Sequence, residues 1–188
     1  MKSTLLLLTL QTLPALSLPG PLSDTLTTRN DDTITYYTGP TYTLPPSELA
    51  KLDPPSGSYT PPPDMPIIPL PLGGILSFNS TPSLLARSLH KRFEFRRFTA
   101  YNQWGCNAPL ATVQDFGCGT GCVSLPTGWW GWSGLLEQGD TSNPYPTANL
   151  FQSTDCSGKF QKIGINGYTS CTGDNQGGYR SFIAYYGC

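Results

Sequence analysis

The cysteines constrain this chain more than any other feature. An even number in residues 93–188 predicts three disulfides, because a domain of this size buries too little apolar surface to dispense with cross-links. The alternative is a metal site built on Cys118-x-x-x-Cys122, but zinc sites of that kind usually recruit His or belong to reducing compartments. We therefore expect no metal and no cofactor. The six residues are Cys106, Cys118, Cys122, Cys156, Cys171 and Cys188.

The composition changes at about residue 92. Fifteen of the 19 Pro and none of the Cys precede this point, whereas all four Trp and 15 of the 20 Gly follow it. Each Pro removes a backbone donor and biases its neighbour towards an extended conformation. We therefore interpret residues 18–92 as a disordered, Pro-rich pro-segment and residues 93–188 as a cysteine-rich domain.

The first 17 residues are typical of a secretory signal peptide. Lys2 precedes a Leu-rich stretch, and small residues follow at Ala15 and Ser17, after which we expect cleavage. The apolar stretch is shorter than the roughly 20 residues of a membrane span. These features predict a secreted, extracellular protein, which we expect to be a monomer.

Two dibasic pairs lie at the composition boundary. Lys91-Arg92 and Arg96-Arg97 are typical of sites for a kexin-type processing protease, so the domain would begin at residue 93, or at 98 if the second pair is cut. Asn79-Ser80-Thr81 is an N-glycosylation acceptor within the pro-segment. We expect the mature domain to lack both the pro-segment and its glycan.

The residue inventory excludes most catalytic arrangements. His90 is the only His and precedes both dibasic pairs, so the mature part has no Ser-His-Asp or Cys-His machinery. The balance of 11 basic and 12 acidic residues argues against nucleic-acid binding. Carboxylates remain, but those in turn-like sequence favour a structural role over catalysis. The acidic residues are Glu94, Asp115, Glu137, Asp140, Asp155 and Asp174.

Short β-branched or aromatic stretches predict an all-β sandwich or barrel. They are bounded by Gly, Pro, Asn or Asp, and the Gly content disfavours long helices. The expected strands are 98–101, 148–151, 159–165 and 181–186.

The spacing of Cys and Ser residues predicts two pseudo-repeats. Cys106 to Cys122 spans 16 positions and Cys156 to Cys171 spans 15, and a Ser follows each second Cys by 11 or 10 positions, at Ser133 and Ser181. From this equivalence we predict Cys106–Cys122 and Cys156–Cys171 bridges, which leaves Cys118 for Cys188. Six cysteines allow fifteen connectivities, and this is one of them.

The stretch from Phe151 to Gly158, FQSTDCSG, resembles the first hairpin of a βγ-crystallin-type Greek key. That pattern has an aromatic, four residues, a second aromatic, one residue and Gly, followed later by a Ser that ties down the hairpin, and Ser181 lies at that place. Cys156 replaces the second aromatic, and the first half lacks the spacing. The resemblance covers about residues 98–188 and implies a Greek-key sandwich.

The same resemblance raises a calcium site and a biological role. Some crystallin-type domains bind calcium through adjacent Asn or Asp residues followed by hydroxyl residues. Asp174-Asn175 supplies the first part, but Gly178 and Tyr179 occupy the later places, so we favour a turn. Small secreted fungal proteins of similar arrangement include effector-like and killer-toxin-like proteins.

Trp129, Trp130 and Trp132 form the strongest candidate recognition feature, and Tyr179 is added to the binding candidates. Exposed indoles stack on sugar rings, contact membranes or anchor proteins, although filling the core is the alternative. The leading hypothesis is a secreted, non-enzymatic effector or toxin-like protein that acts on a host or competitor. The alternatives are a module that binds cell-wall glycans through these Trp residues and a small glycoside hydrolase with a carboxylate pair.

Overall fold

The structure is a computed structural model that describes residues 26–28, 34–37, 39, 42–78, 95–139, 144–165 and 169–188, with only the backbone described for 26–28 and 34–36. It is mostly β, as the sequence predicted. The elements are β1 (Leu26–Thr28), β2 (Ile34–Tyr37), α1 (Pro46–Leu52), β3 (Ser56–Tyr59), β4 (Ile67–Pro69), β5 (Gly74–Ser77), β6 (Arg96–Gln103), β7 (Asn107–Gln114), β8 (Cys122–Ser124), β9 (Ser133–Gln138), β10 (Thr147–Phe151), β11 (Gly158–Gly164), β12 (Thr169–Gly173) and β13 (Ser181–Tyr185).

The described strands form two sheets. The first sheet has the order β1-β2-β5-β7-β6-β9-β12, and the second has the order β3-β11-β10-β13-β8-β4. All four strands expected from the sequence are present, as β6, β10, β11 and β13. Most neighbours are antiparallel, but β5 is parallel to both β2 and β7, and β4 is parallel to β8.

The strands of the cysteine-rich part follow the same path twice. β6 and β7 form a hairpin, β9 pairs with β6, and β8 crosses to the other sheet. In the second half β10 and β11 form the hairpin, β13 pairs with β10, and β12 crosses in the opposite direction to pair with β9. Each half therefore supplies one strand to the sheet of the other half.

A buried Ser ties down the hairpin in each half. Ser133 Oγ accepts a hydrogen bond from Cys106 N at 3.0 Å and donates one to Gln103 O at 2.6 Å. Ser181 Oγ accepts from Cys156 N at 3.0 Å and donates to Ser153 O at 2.8 Å. The equivalent positions predicted from Cys and Ser spacing thus make equivalent contacts.

The three disulfides are Cys106–Cys171, Cys118–Cys188 and Cys122–Cys156. The prediction of three bridges is confirmed, as is the Cys118–Cys188 pair, but the other two predicted pairs are wrong. Cys122 lies on β8 and Cys171 on β12, which are the strands that cross between sheets. Each crossing strand carries its cysteine to the hairpin of the other half, so both bridges join the two halves.

The main core lies between the two sheets. Phe98 of β6 packs against Phe182 of β13, with ring centroids 4.5 Å apart, and both side chains are fully buried. Leu136 and Leu150 extend this core along the neighbouring strands. Burying side chains of this size contributes about 1.5–3 kcal/mol each.

Residues 42–78 are folded, so the prediction of a disordered Pro-rich segment is wrong for this stretch. They form α1 and strands β3, β4 and β5, which lie beside β11, β8 and β7 respectively. The proline residues occupy positions that suit them. Pro45 precedes α1 and Pro46 begins it, where a missing N–H costs no helical hydrogen bond. The remainder of the expected pro-segment lies largely outside the described residues.

The two sheets differ in their outer faces. On the first sheet this face is polar, with Thr99 and Thr112 hydroxyls 3.1 Å apart and Arg97 paired to Glu137. On the second sheet it is apolar, and α1 with its flanking residues covers it. Leu44, Leu52, Tyr59 and Met65 pack there against Phe151, Phe160, Ile183 and Tyr185 of the sheet. The second sheet is therefore buried on both faces.

Backbone geometry distinguishes two equivalent hairpin positions and yields a test. Ala108 and Gly158 each lie two residues after the hairpin cysteine, with φ of 56° and 81°. At such angles a residue with a Cβ is destabilised by about 1–2 kcal/mol. Gly avoids this strain, but its larger conformational entropy in the unfolded state offsets part of the gain. Ala108→Gly should raise the free energy of unfolding by about 0.5–1 kcal/mol, measured by urea denaturation with the disulfides intact.

Gly158→Ala is the matched control. No atom lies within 4 Å of a Cβ built at Gly158, so only the backbone angle opposes the substitution. It should lower the free energy of unfolding by about 1 kcal/mol. A lower unfolding midpoint for Ala108→Gly than for the wild type would contradict the assigned hairpin geometry.

Candidate functional site

Four indoles form the main aromatic feature of the surface, which we name the tryptophan surface: Trp104, Trp129, Trp130 and Trp132. Trp104 lies in the turn between β6 and β7 and is 56% exposed, and Trp129 and Trp130, in the loop between β8 and β9, are each 38% exposed. Trp132 is half-buried, and its ring centroid is 6.2 Å from that of Trp104. Of the two alternatives left open by the sequence, exposure applies to Trp129 and Trp130, and none of the four indoles fills the core.

Glycines of the second half make room for the indoles. A Cβ at Gly173, the last residue of β12, would clash with the Trp104 ring. A Cβ at Gly178 would lie 3.0 Å from Trp130 Cε3 and 3.6 Å from Trp132. The segment between β12 and β13 therefore passes directly against the tryptophan surface, which both halves of the domain build together.

Arg180 adds a cation to this surface. Its guanidinium carbon lies 5.4 Å from the centroid of the Trp130 ring, within the range of a cation–π interaction. The backbone holds Arg180 in place, because its N–H donates to Phe151 O at 2.7 Å and its carbonyl accepts from Leu125 N at 2.9 Å. The surface thus combines flat apolar rings with one positively charged donor.

Hydrogen bonds fix the loop that carries the indoles. Gly131 and Tyr179 exchange two backbone hydrogen bonds of 2.8 and 2.9 Å, and Trp132 N donates to Tyr101 O at 2.8 Å. Trp129 N closes a turn onto Pro126 O at 3.0 Å. A fixed loop loses little conformational entropy when its rings contact a partner.

Tyr179 lies beneath the tryptophan surface and not on it. Its side chain is fully buried under Gly131, and its hydroxyl donates to Ser133 O at 2.8 Å. Burial raises the pKa of the Tyr179 phenol well above its ordinary value, so the group stays neutral. From this position Tyr179 supports the loop and touches no partner.

The described carboxylates of the cysteine-rich domain are engaged in local structure. Glu137 pairs with Arg97 at 2.7 Å, and this hydrogen bond raises the pKa of Arg97. Asp115 accepts from Ser77 Oγ at 3.1 Å, and Asp155 accepts from Ser157 Oγ at 2.6 Å, which lowers the pKa of Asp155. Glu94 and Asp140 lie outside the described residues.

Asp174 organises the turn that contains the candidate calcium-binding pair Asp174-Asn175. Its buried carboxylate accepts hydrogen bonds from Gln176 N at 3.0 Å and Gly178 N at 2.6 Å. Asn175 N donates to Gln161 Oε1 at 2.8 Å. These bonds fit the turn that the sequence favoured. Within the described residues, no group of three or more His, Cys, Asp or Glu could hold a metal ion.

The two dibasic pairs differ in their placement. Arg96 and Arg97 are the first residues of β6, where β9 pairs with both and β7 also pairs with Arg97. Arg96 also stacks over the ring of Tyr186, 3.3 Å from its centroid. A protease needs an accessible, unpaired stretch of chain, which this strand does not offer. Lys91 and Arg92 lie outside the described residues.

No protein-family model, curated protein or solved structure matches the chain. Along its described stretches, the chain contains no helix with the length and apolarity that crossing a membrane requires. The three disulfides are typical of proteins that fold under oxidising conditions.

Sequence reasoning missed Trp104 and Arg180 as members of the site. Trp104 is 25 residues from Trp129, and only the hairpin between β6 and β7 brings it beside Trp132. A signal was present, because Trp104-Gly105 immediately precedes the hairpin cysteine, and an aromatic in a turn is often exposed. No comparable signal marked Arg180.

Tyr179→Phe separates support of the loop from recognition. The substitution removes the hydrogen bond to Ser133 O and should lower the free energy of unfolding by about 1 kcal/mol, measured by urea denaturation. The exposed indoles should stay in place, with unchanged quenching of Trp fluorescence by acrylamide. A large increase in quenching at low denaturant would contradict the expectation that the buried ring holds the indoles in place without its hydroxyl.

Proposed function

We propose that the protein is a secreted, non-enzymatic recognition protein that acts on a host or competitor as an effector or toxin-like factor. The observation that carries this proposal is the tryptophan surface, where exposed indoles lie on a fixed loop beside Arg180. Exposed Trp is costly unless it binds something, and Trp and Arg are frequent binding hot spots. The engagement of the four described carboxylates of the cysteine-rich domain in local structure supports a non-enzymatic role.

We propose a βγ-crystallin-like pair of Greek keys as the fold behind this function. Three features support it: two hairpins each tied down by a buried Ser, one strand exchanged between the sheets in each half, and positive φ at Gly158. Secretion is supported by the signal-peptide pattern of residues 1–17 and by the disulfides. Processing is proposed after Lys91-Arg92, since Arg96-Arg97 lies in a paired strand.

A cell-wall glycan is the second candidate target. Trp104 and Trp132 lie side by side with a 38° angle between their rings, and Trp104 is exposed. Indole faces presented in this way stack on the apolar faces of sugar rings. A protein or membrane target would use the same indoles. Retention on polysaccharides distinguishes such a target from a glycan.

The tryptophan surface is tested with paired substitutions. Trp104→Ala and Trp130→Ala should each weaken binding of the labelled protein to target cells by about tenfold or more, which corresponds to about 1.4 kcal/mol. Phe95→Ala is the control, because Phe95 is 37% exposed but lies about 30 Å away, at the opposite end of β6. Equal binding by all variants would contradict the proposal.

Retention on insoluble chitin, glucan and cellulose separates the two candidate targets. Retention that Trp104→Ala abolishes and Phe95→Ala preserves would identify a glycan-binding module. Binding to cells without retention on any polysaccharide would favour a protein or membrane target. A hydrolytic activity that is lost on substitution of two carboxylates would contradict the non-enzymatic proposal.

A further inference from the structure

The first 92 residues contain no Cys, and all three disulfides lie within residues 106–188. A cut between residues 79 and 94 would therefore leave no covalent link between the N-terminal part and the cysteine-rich domain. The fate of residues 42–78 after such a cut depends only on the contacts they make. Those contacts involve sheet edges, one sheet face and buried polar groups.

Residues 42–78 cover three of the four outer edges in the sheets of the cysteine-rich domain. β5 adds to β7 with the register Gly74↔Ala111 to Ser77↔Gln114. β4 adds to β8, and β3 adds to β11. Of these four edges, only β12 lacks a strand from the N-terminal part among the described residues. Removing the segment would expose three rows of unpaired backbone groups, which invite aggregation.

The segment also covers the apolar outer face of the second sheet. Phe151, Phe160 and Ile183 on that face are fully buried, and the residues that bury them include Leu44 and Leu52. A solvent-facing side of an antiparallel sheet usually carries polar residues. This face instead has the composition of a core. Exposing it to water would be unfavourable, so the domain is more stable with the segment bound.

Polar contacts, one of them fully buried, specify how the segment is seated. Asn149 Nδ2, on β10, donates to Leu52 O at the end of α1 at 3.0 Å, and Asn149 is fully buried. Leu44 N donates to Cys118 O at 2.7 Å. Lys162 Nζ contacts Asp53 through both its carboxylate, at 2.7 Å, and its carbonyl, at 2.9 Å. Separation would break these contacts and expose the Asn149 amide on an otherwise apolar face.

We propose that residues 42–78 remain bound after processing as a non-covalent subunit, so that the mature protein consists of two chains. The inference rests on the proposed processing for its biological setting, but the interface exists whether or not the natural cut occurs. The N-terminal part is then a component of the fold and not a discarded leader.

An engineered cut tests retention independently of natural processing. Residues 84–90 of the full-length protein are replaced by the recognition sequence of a site-specific protease, and the purified product is cut and passed through size-exclusion chromatography. We expect the two chains to co-elute in a 1:1 ratio and to appear as one complex in native mass spectrometry. Loss of the N-terminal chain, with or without dimerisation of the cysteine-rich chain, would overturn the proposal.

Leu76 and Leu72 offer a matched pair of variants. Leu76, on β5, is fully buried, whereas Leu72, four residues earlier, is 55% exposed. Leu76→Asp should increase release of the cut chain at least tenfold, and Leu72→Asp should leave release unchanged. Since Leu76→Asp can also prevent the uncut protein from folding, cut Leu76→Ala is compared with the cut wild type in increasing urea. Release of Leu76→Ala at the same urea concentration as the wild type would contradict the interface.

Mass spectrometry of the naturally secreted protein gives a separate result for processing. Two chains under denaturing conditions and one complex under native conditions would support both proposals. A single uncut chain would contradict the processing proposal and leave retention to be decided by the engineered cut. Release of the engineered fragment overturns retention alone.

Discussion

Burial of the second sheet on both faces is the constraint on which the rest of the structure depends. Phe182 faces the inter-sheet core, and Ile183, next to it on β13, faces outwards among α1 and its flanking residues. A strand in this position cannot face water on either side, so the N-terminal segment is required for the cysteine-rich domain to bury its apolar surface. The same segment also covers three sheet edges, two in the second sheet and one, that of β7, in the first.

The prolines concealed this requirement in the sequence. Their density indicated disorder, although a Pro-rich chain is already extended and suits edge strands and the start of a helix. The informative signal lay in the cysteine-rich domain that the Pro-rich segment covers. The strand Ser181–Tyr185 has the sequence SFIAY, in which apolar or aromatic residues follow the first Ser without polar alternation. This pattern is typical of a strand buried on both faces. A strand of this kind needs a cover on each face, and residues 42–78 provide the outer one.

Residue spacing predicted the equivalence of Cys106 with Cys156 and of Cys122 with Cys171, but not the bridges between them. The contacts of Ser133 and Ser181 match in the two halves because local hairpin geometry follows from local sequence. Disulfide pairing depends on long-range contacts. It is decided by the sheet that β8, which carries Cys122, and β12, which carries Cys171, each join. Because both strands cross, bridges expected within each half instead join the halves.

The proposed recognition surface and residues 42–78 occupy different edges of the molecule. The N-terminal segment caps β7, β8 and β11, whereas Gly173 at the end of β12 lies against Trp104. The Cys106–Cys171 bridge links β12 to the same hairpin that presents Trp104, so this edge is stiffened by a covalent bond instead of by an added strand. Because residues 42–78 add no strand to β12, the indoles beside that edge can contact a partner while these residues stay bound.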